Sequence, residues 1–396
     1  MTVAPARLPW RRIWLWSLAA FTVTRAGFLL LTVVAGAVHG SHVPGSLLEL
    51  WDQWDTHWYQ LISRQAYFSP KATVFFPLYP ALLGALAGAL GHAGGPVWPA
   101  PDPVRLGAAM LVANLGGLAA IAGVVALGAA EEDEALGRRA ARLFLAYPFA
   151  FYLAAAYTEG PFIAFAVWSL LLARRGRWAP AAGLAFLAAL TRVTAVILVL
   201  PLIWDLGRQR GWWQRQTALA RLGEISRLLA MAAAVPAAIG LYMAYLATRF
   251  HDPLLFVREQ SIGWHRQAAL IFSVPFQAAA RIVRLPLASE GRWVQTAELL
   301  AVLLVAVLLV SAARRQPLAF TLYTAGLLYL ALAAPIVSGS YYLQSAGRFM
   351  CAAVPAFLAL GRLLQRHRVL ETVVLGAGFG LQAVFLAAFL AGQAIE

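Results

Sequence analysis

Charge is what this sequence has least of. Asp, Glu, Lys and Arg together make up 12% of its 396 residues, where a soluble globular chain carries about a quarter. Acids are the scarcer sign, 17 in all. That composition excludes a soluble enzyme of two ordinary domains, the expectation from length alone. Disorder, collagen and coiled coil are excluded as well. Cysteine is nearly absent. Cys351 stands alone, so no intrachain disulfide, thiolate metal site or redox pair can form. In its apolar run it reads as a small packed hydrophobe. Lys71 is the only lysine, and every other cation outside the histidines is arginine. There is no P-loop, no dinucleotide fingerprint and no evident internal repeat of the kind transporters carry. The polar–apolar alternation of a β-barrel is missing too.

What is present is apolar: 61% of the chain is hydrophobic. About 20 such residues cross a bilayer. The runs at 13–38, 105–130, 228–248, 294–313, 318–337, 347–364 and 369–392 predict spans. Arg7, Arg11 and Arg12 precede a first run too long for a signal peptide. It reads as an uncleaved span with a cytoplasmic N-terminus. Two further apolar stretches carry polar breaks. The stretch 141–173 is broken at Tyr157-Thr158-Glu159-Gly160-Pro161, and 181–206 at Thr191-Arg192. The arginine-bearing loops at 131–142, 174–178 and 207–227 all read as cytoplasmic. Consecutive loops on one side require an even number of crossings. Each broken stretch is therefore expected to be a hairpin of two short helices with its polar tip outside.

The same logic places 39–104 outside as a first loop, with a short re-entrant or interfacial helix at 76–91. It makes 249–293 a second external loop and 338–346 a short third one, and puts the C-terminus outside. The expected fold is one integral-membrane domain over 1–396. It is an all-α polytopic membrane protein of roughly 10–11 transmembrane or re-entrant helices, with short extracytoplasmic interfacial helices. The net charge is +14, most of it set by topology. The remaining arginines suit phosphate, whose oxygens their planar forks match. Their dispersal between spans argues against nucleic acid.

With so few acids, each can be placed. Glu131, Glu132, Asp133 and Glu134 form a solvated run, and Asp205, Glu224 and Glu371 lie by cytoplasmic arginines. Asp102, Glu290, Glu298 and Glu396 fall at loops or ends. Glu49, Asp52 and Asp55 remain in the first external loop, Glu159 in a hairpin tip, and Asp252 and Glu259 in the second loop. Asp52 and Asp55 are three apart and share a helix face, among Trp51, Trp54, His57, Trp58 and Tyr59. Two readings fit: an amphipathic interfacial helix with solvated acids, or a site. The second loop is dense in hydrogen-bonding groups, with Arg258, Gln260, Trp264, His265 and Arg266. An ordinary surface loop is the competing reading.

Several segments resemble a known family. Trp54-Asp55-Thr56-His57-Trp58-Tyr59 runs on to Tyr67 and is followed by Phe75-Phe76-Pro77-Leu78-Tyr79-Pro80. Tyr147-Pro148-Phe149 leads to Tyr157-Thr158-Glu159. Then come Leu190-Thr191-Arg192, Asp252-Pro253 with Gln260 and Trp264, and Gly347-Arg348-Phe349. In this order they resemble the second mannosyltransferase of GPI-anchor assembly and its bacterial homologues, in the C-type glycosyltransferase superfamily. There are departures. The family usually has Arg-Pro at Arg192-Val193 and often Arg-Tyr at Arg348-Phe349. It often has a carboxylate near Arg64 and a histidine or asparagine near Gln65.

The resemblance implies a C-type helical bundle and an inverting transfer of mannose from a polyprenyl- or dolichyl-phosphate donor. The acceptor would be a hydroxyl of a lipid-linked glycan or glycolipid, on the extracytoplasmic face of a bacterial inner membrane. Asp55 takes the catalytic-base role, with Asp52 as backup. Such chemistry needs a carboxylate to take the acceptor's proton and cations for the departing phosphate. Arg192, Arg258, Arg266 and Arg348 are candidates for the phosphate, helped by His57 or His265. Tyr157 and Glu159 are candidates for sugar hydroxyls or for orienting a catalytic group. Trp54, Tyr59, Gln260 and Trp264 complete the expected substrate contacts. No metal and no other cofactor is expected. Competing readings are another lipid-phosphate sugar, a protein acceptor, a lipid or sugar-lipid transporter, and a membrane scaffold.

Overall fold

The computed structural model describes residues 8–39, 46–92, 94, 101–212, 218–337 and 341–395. Arg7, Glu396 and parts of the loops at 39–104, 207–227 and 338–346 lie outside the described residues. The described chain is all-α, and its only strand-like feature is one antiparallel bridge between Arg266 and Ile336. The helices in chain order are α1 Trp10–His39, α2 Asp55–Gln65, α3 Leu78–Ala89, α4 Pro103–Glu131, α5 Glu134–Leu145, α6 Glu159–Arg174, α7 Trp178–Thr191 and α8 Val199–Gln209. They continue as α9 Ala218–Phe250, α10 Leu255–Ile262, α11 Val274–Arg284, α12 Glu290–Ala312, α13 Leu318–Ala333, α14 Ala346–Cys351, α15 Val354–Leu364 and α16 Arg368–Leu390.

Among the described residues five segments are long and apolar enough to cross a membrane: Trp10–Val38, Pro103–Glu131, Met231–Phe250, Glu290–Ala312 and Arg368–Leu390. Their outward faces are apolar, as lipid requires. Val23 is 71% exposed, Val310 78% and Val369 81%. Two expected spans differ. The run at 318–337 forms a helix of only 16 residues, which stops before Pro335. At 1.5 Å per residue that is about 24 Å, less than the ~30 Å apolar thickness. The run at 347–364 is split into α14 and α15. Pro355, in the first turn of α15, cannot donate to the preceding turn.

Helix α4 is the hub, packing on α1, α3, α5 and α6. Its small residues allow that. A side chain added at Gly116 would run into the Gly160–Pro161 backbone of α6, and one at Gly128 into Gly137 of α5. Close backbone approach through small residues is how helices associate in lipid.

Both broken stretches divide at their polar breaks. Helix α5 packs back along α4 from Glu134, and α6 returns beside α4 to Arg174. Helices α7 and α8 flank a 3-10 turn, Val193–Leu198, in the same way. The segment 146–158 is irregular backbone inside the bundle, with a single 3-10 turn at Ala150–Leu153, so its carbonyls need partners. Arg25 Nη2 donates to Leu153 O (2.9 Å) and Asn114 Nδ2 to Ala154 O (3.0 Å). Gln382 Nε2 donates to Leu145 O and Tyr147 O (3.0 and 2.8 Å).

The opposite end of α4 carries a belt of ion pairs. Arg12 meets Glu134 at 3.1 Å, Arg174 meets Glu131 at 2.7 Å and Asp205 at 3.3 Å, and Arg139 meets Glu371 at 3.0 Å. The acidic run expected to be solvated is therefore largely paired. Glu131 and Glu134 hold arginines, Glu132 holds Arg362 at 2.9 Å, and Asp133 caps α5 by accepting from Leu136 N.

Candidate functional site

The turns at both polar breaks and the described part of the loop at 39–104 converge at the end of the bundle away from the ion-pair belt. Trp54 takes a positive φ of 54°, unusual for a side chain of its size. The turn starts α2 at Asp55, in the helix's first turn, and α2 ends at Ala66, whose φ is 55°. Asp55 is 8% exposed. Its Oδ2 accepts from Arg348 Nη1 at 2.9 Å. Its backbone N–H donates to the Tyr157 hydroxyl at 3.3 Å, which in turn donates to Gln53 O.

From Asp55 a chain of alternating charge runs inward. Arg348 Nε lies 3.2 Å from Glu159 Oε1, and the same oxygen pairs with Arg192 Nη1. Four segments remote in sequence supply these groups: α2, α14, the start of α6 and the end of α7. The guanidinium of Arg348 lies over the rings of Tyr152 and Tyr157, at 5.4 and 5.1 Å. Arg192 lies 5.1 Å over Phe349 and donates to Thr158 Oγ1 at 3.0 Å. Thr158 Oγ1 is 3.3 Å from the Tyr59 hydroxyl. Burial pushes that phenol well above its ordinary value, with the charge of Asp55 adding to the effect. Each buried charge thus faces an opposite one, the condition under which burial is tolerated.

Asp55, Tyr59, Arg192, Gln260, Trp264, Arg266 and Arg348 line a cavity of about 120 Å³. Arg266 closes one side, donating to Ala334 O (3.1 Å) and Gln344 O (3.3 Å). Desolvation pushes its guanidinium down to about 10, and Arg348 nearby works in the same direction. Trp264 and Phe75 form an aromatic rim with Trp58, whose ring stacks on Phe75 at 5.6 Å. Thr191 and Phe76 also line the cavity, and their chain neighbours Leu190 and Pro77 line a separate apolar groove of about 760 Å³. The groove runs between α2, α3, α7 and α9, with Tyr67, Tyr242, Tyr245 and Arg64 on its walls.

The other expected residues lie elsewhere. Asp52 is off the cavity, accepting from Gln60 Nε2 at 2.6 Å and facing His57 Nε2 at 3.4 Å. Burial raises its carboxyl above the ordinary value, against the opposing charge of His57. Trp54 donates its indole N–H to Gln393 O at 3.2 Å and faces away. Arg258 pairs with Asp252 on a 59% exposed side chain. Glu159 and Tyr157 sit behind the cavity wall as partners of Arg348, Arg192 and Asp55.

Sequence reasoning misplaced one acid. Glu298, expected at a loop or end, is 0% exposed on α12 and accepts from Gly347 N beside Arg348. A carboxylate inside an apolar run was the available signal. Among the described residues no group of three or more His, Cys, Asp and Glu could hold a metal ion.

No protein-family profile and no curated protein matches the sequence. Solved structures of the Archaeoglobus fulgidus oligosaccharyltransferase are similar to the chain. The apo form gives a TM-score of 0.46 at 15% identity, over 96% of this chain and 56% of that one. The form tethered to an acceptor peptide gives 0.45 at 12%, over 96% and 55%. AglB from the same organism, in complex with an inhibitory peptide and a dolichol-phosphate, gives 0.42 at 15%, over 96% and 56%. The chain spans little more than half the length of these proteins.

Proposed function

We propose that this chain is a membrane-embedded glycosyltransferase. It moves a sugar, mannose by resemblance, from a polyprenyl-phosphate donor to a hydroxyl of a glycolipid or lipid-linked glycan. One observation carries the reading. The carboxylate of Asp55 lies at a cavity lined by arginines, and Pro77 and Leu190, next in the chain to its lining residues Phe76 and Thr191, line a large apolar groove. An isoprenoid tail needs the groove, a phosphate needs the arginines, and an attacking hydroxyl needs the carboxylate.

In the reaction the acceptor O–H gives its proton to Asp55 as its oxygen attacks the anomeric carbon. The bond from that carbon to the phosphate oxygen breaks, and its electron pair leaves with the phosphate. Positive charge developing on the sugar ring is stabilised by nearby carboxylate, as in glycoside hydrolysis. Negative charge on the leaving phosphate falls to Arg192 and Arg266, which line the cavity. Arg348 alone of these contacts Asp55 directly, which suits orienting the base rather than gripping phosphate, whereas Arg192 pairs with Glu159 only. The ion-pair belt at the far end supports a cytoplasmic placement for that end and an extracytoplasmic one for the site.

The test is purified protein in sealed proteoliposomes with radiolabelled polyprenyl-phosphate mannose and candidate glycolipid acceptors. Label appearing in acceptor with inverted configuration supports the reading. Donor carried across a sealed vesicle membrane without any glycosidic product refutes it.

A further inference from the structure

We propose that Glu298 is a positioning residue for this transfer: it fixes the turn that carries Arg348, and through that guanidinium it fixes Asp55. The proposal rests on the function given above.

Gln295 and Glu298 are three residues apart on α12 and share a face. Both are buried, at 1% and 0% exposure. Each accepts a backbone N–H from the turn. Gln295 Oε1 takes Leu343 N at 3.2 Å, and Glu298 Oε2 takes Gly347 N. The other side of the turn is held by the Tyr147 hydroxyl on Gly347 O at 2.8 Å and by Arg266 on Gln344 O at 3.3 Å. Inside the turn Ser345 has a φ of 71°, a conformation that persists in a residue other than glycine only when its surroundings enforce it. Its Oγ accepts from Arg348 Nη2 at 3.1 Å, while Nη1 of the same guanidinium reaches Asp55 Oδ2 at 2.9 Å. Glu298 therefore holds the backbone N–H of Gly347, the residue immediately before the arginine.

A grip by Gln295 alone would leave the Gly347 end of the turn without an acceptor. A buried N–H without one carries a desolvation penalty, so the turn would rotate to find another. Arg348 would move with it. The groups around Asp55 are Arg348 and, beyond it, Glu159, Arg192, Arg266, Glu298 and Tyr59, with Tyr157 on its backbone. Of the cations among them, only Arg348 is in direct contact with its carboxylate.

Glu298→Gln retains an oxygen for Gly347 N–H, and Glu298→Leu does not. Glu298→Leu is expected to lose about tenfold or more in kcat with donor KM within about twofold. Glu298→Gln should keep about a third or more of the wild-type kcat. If Glu298→Leu does not assemble, Glu298→Asp, one methylene too short to reach, should show the same kcat loss with the same KM. Wild-type kcat in Glu298→Leu, or an equal kcat loss that Glu298→Gln shares, overturns the positioning role alone. A wild-type protein that transfers no sugar from any donor overturns the function and this proposal together.

Discussion

Replacing Asp55 by asparagine separates chemistry from architecture at one atom. The side chains are nearly the same size, and asparagine keeps an oxygen that can accept from Arg348 Nη1, now 2.9 Å from Asp55 Oδ2. Arg348 also keeps Glu159 at 3.2 Å. Breaking a buried pair outright costs about 3–5 kcal/mol. With one hydrogen bond and one counterion retained, the stability loss should fall below that range. Catalysis has no such reserve. A positioned base contributes roughly 10²–10⁴ in rate, or about 2.7–5.4 kcal/mol of activation free energy at 1.36 kcal/mol per decade. The expected result is an Asp55→Asn protein that elutes as wild type in size exclusion, melts within a few degrees of it, and is about 10²–10⁴ slower with polyprenyl-phosphate mannose. Wild-type turnover in that variant would refute the assignment of the base. So would a loss of turnover matched by a loss of assembly, since the residue would then be structural.

Asp52→Asn should retain far more activity, because Asp52 is off the cavity. Burial raises its carboxyl, so the folded state binds that proton more tightly than the unfolded chain. Its contribution to stability is then full at low pH and declines as pH rises through the folded value. Asp52→Asn should therefore match or exceed the wild-type melting temperature at pH 7, with the difference vanishing below about pH 4. Transfer should survive dialysis against EDTA; a loss restored by a divalent cation would contradict charge compensation by arginine alone. Arg25→Met should lower stability by about 1–3 kcal/mol, because Leu153 O and Asn114 Oδ1 lose their donors; a melting temperature equal to wild type would refute it.

Much of this architecture was legible because lipid simplifies the code. Length and apolarity alone identify α1, α4, α12 and α16, and the polar breaks at Tyr157–Pro161 and Thr191-Arg192 mark where helices stop. The scarcity of acids made elimination workable and led to Asp52 and Asp55, while the choice of Asp55 came from the resemblance. What could not be read was partnership. Arg348 lies 293 residues from Asp55 in the chain, and no spacing rule connects them. Arg192 and Arg348 looked alike as phosphate clamps, yet the geometry gives Arg348 to the carboxylate. The burial of Glu298 comes from a turn remote in the chain that folds back over α12 at that level. Pro355 splits a run whose hydropathy is continuous.

The unwound segment between α5 and α6 has a consequence for assembly order. Its carbonyl at Tyr147, and that of Leu145 at the end of α5, are satisfied by Gln382 of α16, more than 230 residues later in the chain. Until that helix has been made and docked, those groups must stay hydrated or find temporary partners. The site can therefore close only after α16 has been made and docked, however early its aspartate emerges from the ribosome. A defect in α16 would reach the protein first as an immature, water-admitting intermediate of the kind membrane quality control removes, and the catalytic groups would never be tested.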